Sequence, residues 1–251
     1  MSDFFAFDFD GVVCQSANES GLTAWRAAHG LWPEKVPAQP PADFRTRFPV
    51  VRPVIETGHE NVIVVRLMAE GVENERILEA FPSLRDAIMS RESLDVATLR
   101  QAFGQARDAW LRSDEDGWLD AQGFYPGVVE AINALQAPRC IITTKEDRFT
   151  RKLVERAGLR VDPERIYALE SFEGGGKRSV LRRLREEFPN ATLHFFEDRV
   201  KTLLGLKNDD LARLYLVDWG YNTARDRALV EDEPNIALID MAGFRGVLGA
   251  P

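Results

Sequence analysis

Short apolar runs recur through the second half of the chain and alternate with segments whose apolar positions fall three and four residues apart. The runs are Cys140-Ile141-Ile142, Ile166-Tyr167-Ala168-Leu169, Leu193-His194-Phe195-Phe196, Leu214-Tyr215-Leu216-Val217 and Ile236-Ala237-Leu238-Ile239. Unbroken apolar runs of this length predict strands buried on both faces, and their alternation with helices predicts a doubly wound parallel α/β sheet. The helical segments are Val128 to Leu135, opened by Pro126-Gly127; Asp147 to Ala157, closed by Gly158; Lys177 to Phe188, closed by Pro189-Asn190; and Val200 to Lys207. Phe4-Phe5-Ala6-Phe7 predicts one further strand at the start of the chain.

Residues 15–122 read differently. Helical periodicity runs through Glu19 to His29, Val54 to Glu70, Asn74 to Phe81 and Leu94 to Arg112, with a proline-rich link from Pro33 to Pro41 and almost no strand signal. The expected architecture is an α/β core formed by residues 1–14 and 123–251, with residues 15–122 inserted as an all-helical cap. An insertion directly after the first strand is expected to stand over that strand's carboxyl end as a lid.

The composition, 45% apolar and 29% charged over 251 residues, is that of an ordinary globular protein. A net charge of −8 argues against nucleic-acid binding, which needs clustered positive charge. No apolar run approaches the roughly 20 residues that span a bilayer, so no membrane partner is expected. The amino terminus carries Asp3 and a short aromatic run instead of a basic stretch before an apolar one, which predicts no secretory signal. Cys14 and Cys140, each beside a strand-like run, read as buried free thiols of a reducing compartment. A cytoplasmic location is expected, and the sequence leaves the oligomeric state open.

Candidate chemistry sits where the strands end. Asp8 and Asp10 follow the first strand and precede Gly11. Residues two apart share a side of a strand, so both carboxylates can sit over one point at its carboxyl end, where parallel α/β sheets bind ligands. Two like charges held together need a cation, a proton or a basic side chain between them. Thr143, with Thr144 and Lys145, closes the Ile141-Ile142 strand; a hydroxyl beside the amides of a starting helix suits a phosphate oxygen, although threonine is also a common helix cap. Lys177 follows Gly174-Gly175-Gly176 at a helix start; the Walker spacing is absent, and a solvated lysine on a flexible loop is the plain alternative. Glu197-Asp198 follow Phe195-Phe196, a second acidic pair after a buried strand. Hard oxygen ligands of this kind suit Mg²⁺, and a capping aspartate is the plain alternative.

Acid pair, hydroxyl, lysine and acid pair, in that order on successive strand ends, resemble the haloacid dehalogenase superfamily, in its Mg²⁺-dependent phosphatase branch with a helical cap after the first acidic loop. The resemblance in motifs covers the Rossmann-like core; the cap matches in position and helical character only. It implies a hydrolase of phosphate esters, with Asp8 as nucleophile and Asp10 as general acid and base. It further implies that Thr143 and Lys177 hold the phosphoryl group, with Gly11, Thr144 and Lys145 beside it, and that Asp8, Asp10, Asp198 and Glu197 hold Mg²⁺. The adjacent Glu-Asp pair also occurs in sugar-phosphate mutases, and position 202, four beyond Asp198, is threonine instead of the second acid many members carry. Asp10 favours phosphate esters over carbon–halogen or carbon–phosphorus bonds, whose enzymes generally lack an aspartate there. A small phosphorylated metabolite is therefore the expected partner. A sugar-phosphate mutase is the alternative enzyme; a phospho-receiver switch or a silent binding protein are the alternatives outside catalysis.

Within the expected cap, Arg45, Arg47 and Arg52 are candidates for a substrate carboxylate or second phosphate, with Glu56 and His59 as possible hydroxyl ligands. Arg52 leads because Pro53 starts a helix beside it; surface salt bridges are the plain alternative. His29 and His194 read as structural, and Trp219-Gly220-Tyr221-Asn222 resembles a loop of phosphoglycolate phosphatase-like members.

Overall fold

The computed structural model describes residues 2–249, which divide into two compact units, residues 2–15 with 123–249 and residues 16–122. The first unit holds all the strands among the described residues: β1 (Asp3–Phe7), β2 (Cys14–Gln15), β3 (Gly123–Phe124), β4 (Arg139–Ile142), β5 (Ile166–Tyr167), β6 (Thr192–Glu197), β7 (Arg213–Val217) and β8 (Ile236–Ile239). Six of them form one sheet in the order β5-β4-β1-β6-β7-β8, every pair parallel. The chain builds outward from β1 to β4 and β5 on one side, then returns to lay β6, β7 and β8 on the other. That reversal at β1 is the switch point at which a doubly wound sheet opens its ligand crevice.

Alternation along β1 sorts its side chains onto two faces. Phe4 and Ala6 pack with Cys140, Ile142, Leu193, Phe195, Leu214 and Leu216 in one buried layer. On the other face Phe5 lies 4.7 Å from the His194 ring, Phe7 lies 5.0 Å from Phe196, and Phe196 lies 4.7 Å from Tyr215. His194 is structural, held between the Tyr215 hydroxyl at 3.0 Å and the Asp3 carboxylate at 3.1 Å, with burial keeping its pKa low. Both cysteines are buried thiols outside any disulfide.

β2 and β3 pair antiparallel, Cys14 with Phe124 and Gln15 with Gly123, so the outgoing and returning chain run side by side at the insertion. This two-residue ladder is too short to leave a periodic signal, and the sequence pattern did not predict it. β5 also ends two residues earlier than its apolar run, because Leu169–Ser171 turns into a short 3₁₀ helix.

The second unit is helical, with segments Ala17–Leu31, Phe44–Val51, Glu60–Ala69, Asn74–Arg91, Val96–Ser113 and Glu115–Asp120. Glu19 is fully buried, and its carboxylate is held by Arg107 through two bonds of 2.8 Å, by the Trp118 indole at 3.0 Å and by Thr23 at 2.7 Å. A buried charge requires such complete pairing.

Two helix expectations need correction here. The segment expected to run from Val54 to Glu70 breaks at residues 55–59. The Glu60 carboxylate accepts the Glu56 and Thr57 N–H groups at 2.7 and 2.9 Å and caps a new start. The helix expected to stop at Phe81 continues to Arg91 through Pro82, with the backbone kinked at Ala80 (φ −129°) to admit the proline. No helix among the described residues is long and apolar enough to cross a membrane.

Candidate active site

Asp8 extends β1 by one residue: its N–H donates to the Phe196 carbonyl at 2.9 Å, continuing the ladder with β6. The chain then folds back. Gly11 takes φ +92°, a conformation costly for any residue with a Cβ, and its N–H donates to the Cys14 carbonyl at 2.9 Å. A Cβ at Gly11 would also overlap the Asp198 carboxylate, so the turn lies directly against the end of β6.

Lys177 is the hub of the cluster. Its helix, Gly176–Glu187, begins where Gly174 and Gly176 take positive φ. The Lys177 ammonium lies 2.7 Å from Asp8 Oδ1 and 2.8 Å from Glu197 Oε2. Burial alone would depress a lysine, but the two carboxylates hold its pKa above the ordinary value.

Glu197 ends β6, with both oxygens engaged. Oε2 takes Lys177, and Oε1 accepts the N–H groups of Asp198 and Arg199, each at 3.0 Å. Burial pushes its pKa up, yet the Lys177 charge and these hydrogen bonds bring it below the usual range. Asp198 is different. Burial and the neighbouring Glu197 charge raise its pKa to about 7; one oxygen accepts the Tyr221 N–H at 2.7 Å, and Oδ1 is buried with no protein partner among the described residues. Asp8 is also pushed well up, first by burial and then by Glu197, against the opposing pull of Lys177.

Lys145 makes a second cation–acid contact, its ammonium 3.3 Å from Asp10 Oδ2. Thr143 follows β4, the strand paired with β1 on the side away from β6, and is buried, its hydroxyl accepting the Lys145 N–H at 3.1 Å. The Lys145 carbonyl in turn accepts the Leu169 N–H at 3.0 Å, so this turn is fixed at both ends. Thr144 is exposed. Arg52 belongs to the helical unit, where it donates to its own Ile55 carbonyl at 3.1 Å. Arg47, in the same unit, reaches Asn74 Oδ1 at 3.4 Å.

The donor set fits a hard divalent cation. Carboxylate oxygens of Asp8, Glu197 and Asp198 all lie within 4.8 Å of one another, those of Glu197 already engaged by Lys177 and main-chain amides. Isolated acids at this spacing repel, and the buried Oδ1 atoms of Asp198 and Asp10, both without a protein partner among the described residues, are ligand-seeking atoms. Counting Asp8, Asp10, Glu197 and Asp198 against Lys145 and Lys177 leaves a formal charge of about −2, which one divalent ion neutralises.

Sequence reasoning marked the loop after β7 by its resemblance to a loop of phosphoglycolate phosphatase-like members and gave its residues no part in the acidic cluster. Tyr221 and Asn222 reach Asp198 through a main-chain amide and a side-chain amide, and no spacing rule flags such a bond. The one local signal is Gly220-Tyr221-Asn222 directly after a buried strand.

Comparison with known proteins gives the family and the fold. A family model described as haloacid dehalogenase-like hydrolase matches residues 3–208. No curated protein sequence matches the chain. Among solved structures, a predicted phosphatase from Clostridium acetobutylicum is similar over 98% of each chain at 13% identity, with a TM-score of 0.62. A haloacid dehalogenase-like family protein from Streptococcus pneumoniae matches over 98% of each chain at 15% identity and a TM-score of 0.61. A predicted phosphoglycolate phosphatase from Haemophilus somnus matches over 98% of this chain and 97% of its own at 12% identity, again with a TM-score of 0.61. At these identities the likeness to solved structures is one of fold. The family match covers most of the chain, including β1 with its acidic turn, Lys177 and the acids that end β6, and the chain belongs to the haloacid dehalogenase-like hydrolases.

Proposed function

We propose that this hydrolase is a Mg²⁺-dependent phosphomonoesterase acting on a small phosphorylated metabolite through an aspartyl-phosphate on Asp8. The observation that carries the reading is Lys177 bridging Asp8 and Glu197 at 2.7 and 2.8 Å, with Asp198 in the same buried cluster. The phosphatases named among the structural relatives support a phosphate ester as substrate.

In the first step a carboxylate oxygen of Asp8 attacks phosphorus, and the bond from phosphorus to the ester oxygen breaks. The electron pair leaves with the alcohol oxygen, which takes a proton from Asp10. In the second step Asp10 takes a proton from water; the water oxygen attacks phosphorus and returns Asp8 as a carboxylate with release of phosphate. Lys177 stabilises charge on the phosphoryl oxygens and keeps Asp8 in place. Thr143, Thr144 and the amides around Gly11 are assigned to the remaining phosphoryl oxygens, with Lys145 holding Asp10.

Asp8, Asp198 and the Asp10 main-chain carbonyl would hold Mg²⁺, which when bound supplies charge neutralisation and a fixed template for the phosphoryl group. Glu197 has both oxygens committed to Lys177 and to main-chain amides, so its part is to position the lysine. Arg52 is the candidate for discriminating among phosphorylated metabolites, as a residue of the helical unit proposed to act as a cap.

The test is Mg²⁺-dependent phosphate release from an aryl phosphate and from a panel of phosphorylated metabolites. Wild-type turnover should need Mg²⁺. Asp8→Asn should abolish it at an almost unchanged thermal midpoint, and comparable turnover by that variant would remove Asp8 as nucleophile.

A further inference from the structure

Asp198 is fastened from outside the acidic turns, by the loop that follows β7. The Asn222 side chain donates from Nδ2 to the Asp198 carbonyl at 3.0 Å and to the Val217 carbonyl at 2.9 Å. Its Oδ1 accepts from Arg227 Nη1 at 2.8 Å, and the same guanidinium reaches the Asn222 carbonyl at 3.2 Å. Both donors and the acceptor of this amide are therefore used, in one orientation only. Asn222 is 9% exposed, so none of these bonds is easily replaced by water.

The same loop closes on Asp198 sterically. A Cβ at Gly220 would overlap the Asp198 Cβ and crowd the Gly11 carbonyl, while Gly11 itself leaves no room for one against the Asp198 carboxylate. Trp219 ties the loop to the first acidic turn by donating from its indole to the Val12 carbonyl at 3.1 Å, and its ring packs on Phe244 at 5.4 Å. With Tyr221 N–H holding one carboxylate oxygen, the other is left as the free ligand atom of a side chain that cannot rotate away.

We propose that Asn222 is a positioning residue that sets the divalent-cation affinity of the site by fixing Asp198, with Gly220 supplying the close approach. The inference rests on the proposed metal-dependent reading of the site. Ligands pre-aimed by outer partners bind metal more tightly, and removing such a partner typically costs about 10–100-fold in affinity.

Calorimetric titration of the full chain with Mg²⁺, and with Mn²⁺ as a tighter probe, measures this without turnover. Asn222→Ala should weaken cation binding about 10–100-fold, and Arg227→Met, which leaves both amide donors in place while releasing the amide's acceptor and the Asp218 and Asn222 carbonyls, should weaken it less. Asn235→Ala is the control for loss of an amide: it removes an exposed amide-to-carbonyl bond, to Lys207 at 3.0 Å, elsewhere in the same unit and should leave the affinity unchanged. Aryl phosphate turnover at saturating Mg²⁺ should recover substantially in Asn222→Ala. Wild-type affinity in a folded Asn222→Ala protein, or an equal loss in Asn235→Ala, would overturn the proposal. Should Asn222→Ala fail to fold, unchanged affinity in Arg227→Met overturns it instead. Absence of cation binding by the wild-type chain would overturn the metal-dependent reading itself, a distinguishable failure.

Discussion

Replacing Lys177 by methionine removes one charge from the centre of the cluster and leaves most of its volume. In the native protein the ammonium serves two buried carboxylates at once, at 2.7 and 2.8 Å, and its side chain is only 9% exposed. Removing one partner of a buried ion pair costs about 3–5 kcal/mol, mostly because the remaining charge is stranded. For a folding unit of this size, a loss of about 1 kcal/mol lowers the midpoint by roughly 2–4 °C, so the cation-free variant should melt roughly 6–20 °C lower at pH 8.

The pH dependence follows from signs. Lys177 has a raised pKa, so its charge persists across the neutral range and its stabilising contribution is lost only at strongly alkaline pH. The variant's penalty therefore comes from carboxylates that stay ionised. As pH falls these carboxylates take up protons earlier in the variant than in the wild type, where Lys177 holds Glu197 below the ordinary carboxylate range, so the gap between variant and wild type should narrow with falling pH. Scanning calorimetry at pH 8 and pH 4 measures the gap, and aryl phosphate turnover measures the chemistry, where a loss of roughly 10²–10³ in kcat is expected. A variant with near-native midpoint and rate at pH 8 would refute the assignment of Lys177 as the hub.

Glu197→Gln and Asp198→Asn separate the two acids. The first should reduce kcat with little change in calorimetric Mg²⁺ affinity, because Glu197 holds the lysine; the second should cost about 10-fold or more in affinity, and equal losses would return Glu197 to the metal. Mg²⁺ affinity should also track Asp198 ionisation. Its pKa of about 7 is raised above the unfolded value, so without cation ionisation is destabilising and stability falls as pH rises through that range. Affinity should then climb about tenfold per pH unit below pH 7, steepened by Asp8, and level off above it; a pH-independent affinity would contradict the assignment.

The sheet was legible because strands buried on both faces appear as apolar runs whatever their neighbours, and each acidic turn follows such a run directly. Asp8, Lys177 and the 197–198 pair were legible for the same reason: a strand end or helix start fixes their place. What failed depends on bonds that no periodicity encodes. Glu60 capping Glu56 and Thr57 splits a helix that apolar spacing joins, and a kink at Ala80 carries another past a proline that spacing treats as a stop. The proposed division of labour between Glu197 and Asp198 was not readable from adjacency, since it rests on which oxygen Lys177 takes. Asn222 carried no visible role because its partner is a main-chain carbonyl 24 residues away.

The central claim is covalent, and it can be measured directly. Wild-type protein turning over an aryl phosphate with Mg²⁺, quenched in acid within its first turnover and digested, should yield a phosphoryl group on the peptide containing Asp8 by mass spectrometry. Phosphate release with that peptide unmodified, or with the group on another residue, would contradict the account.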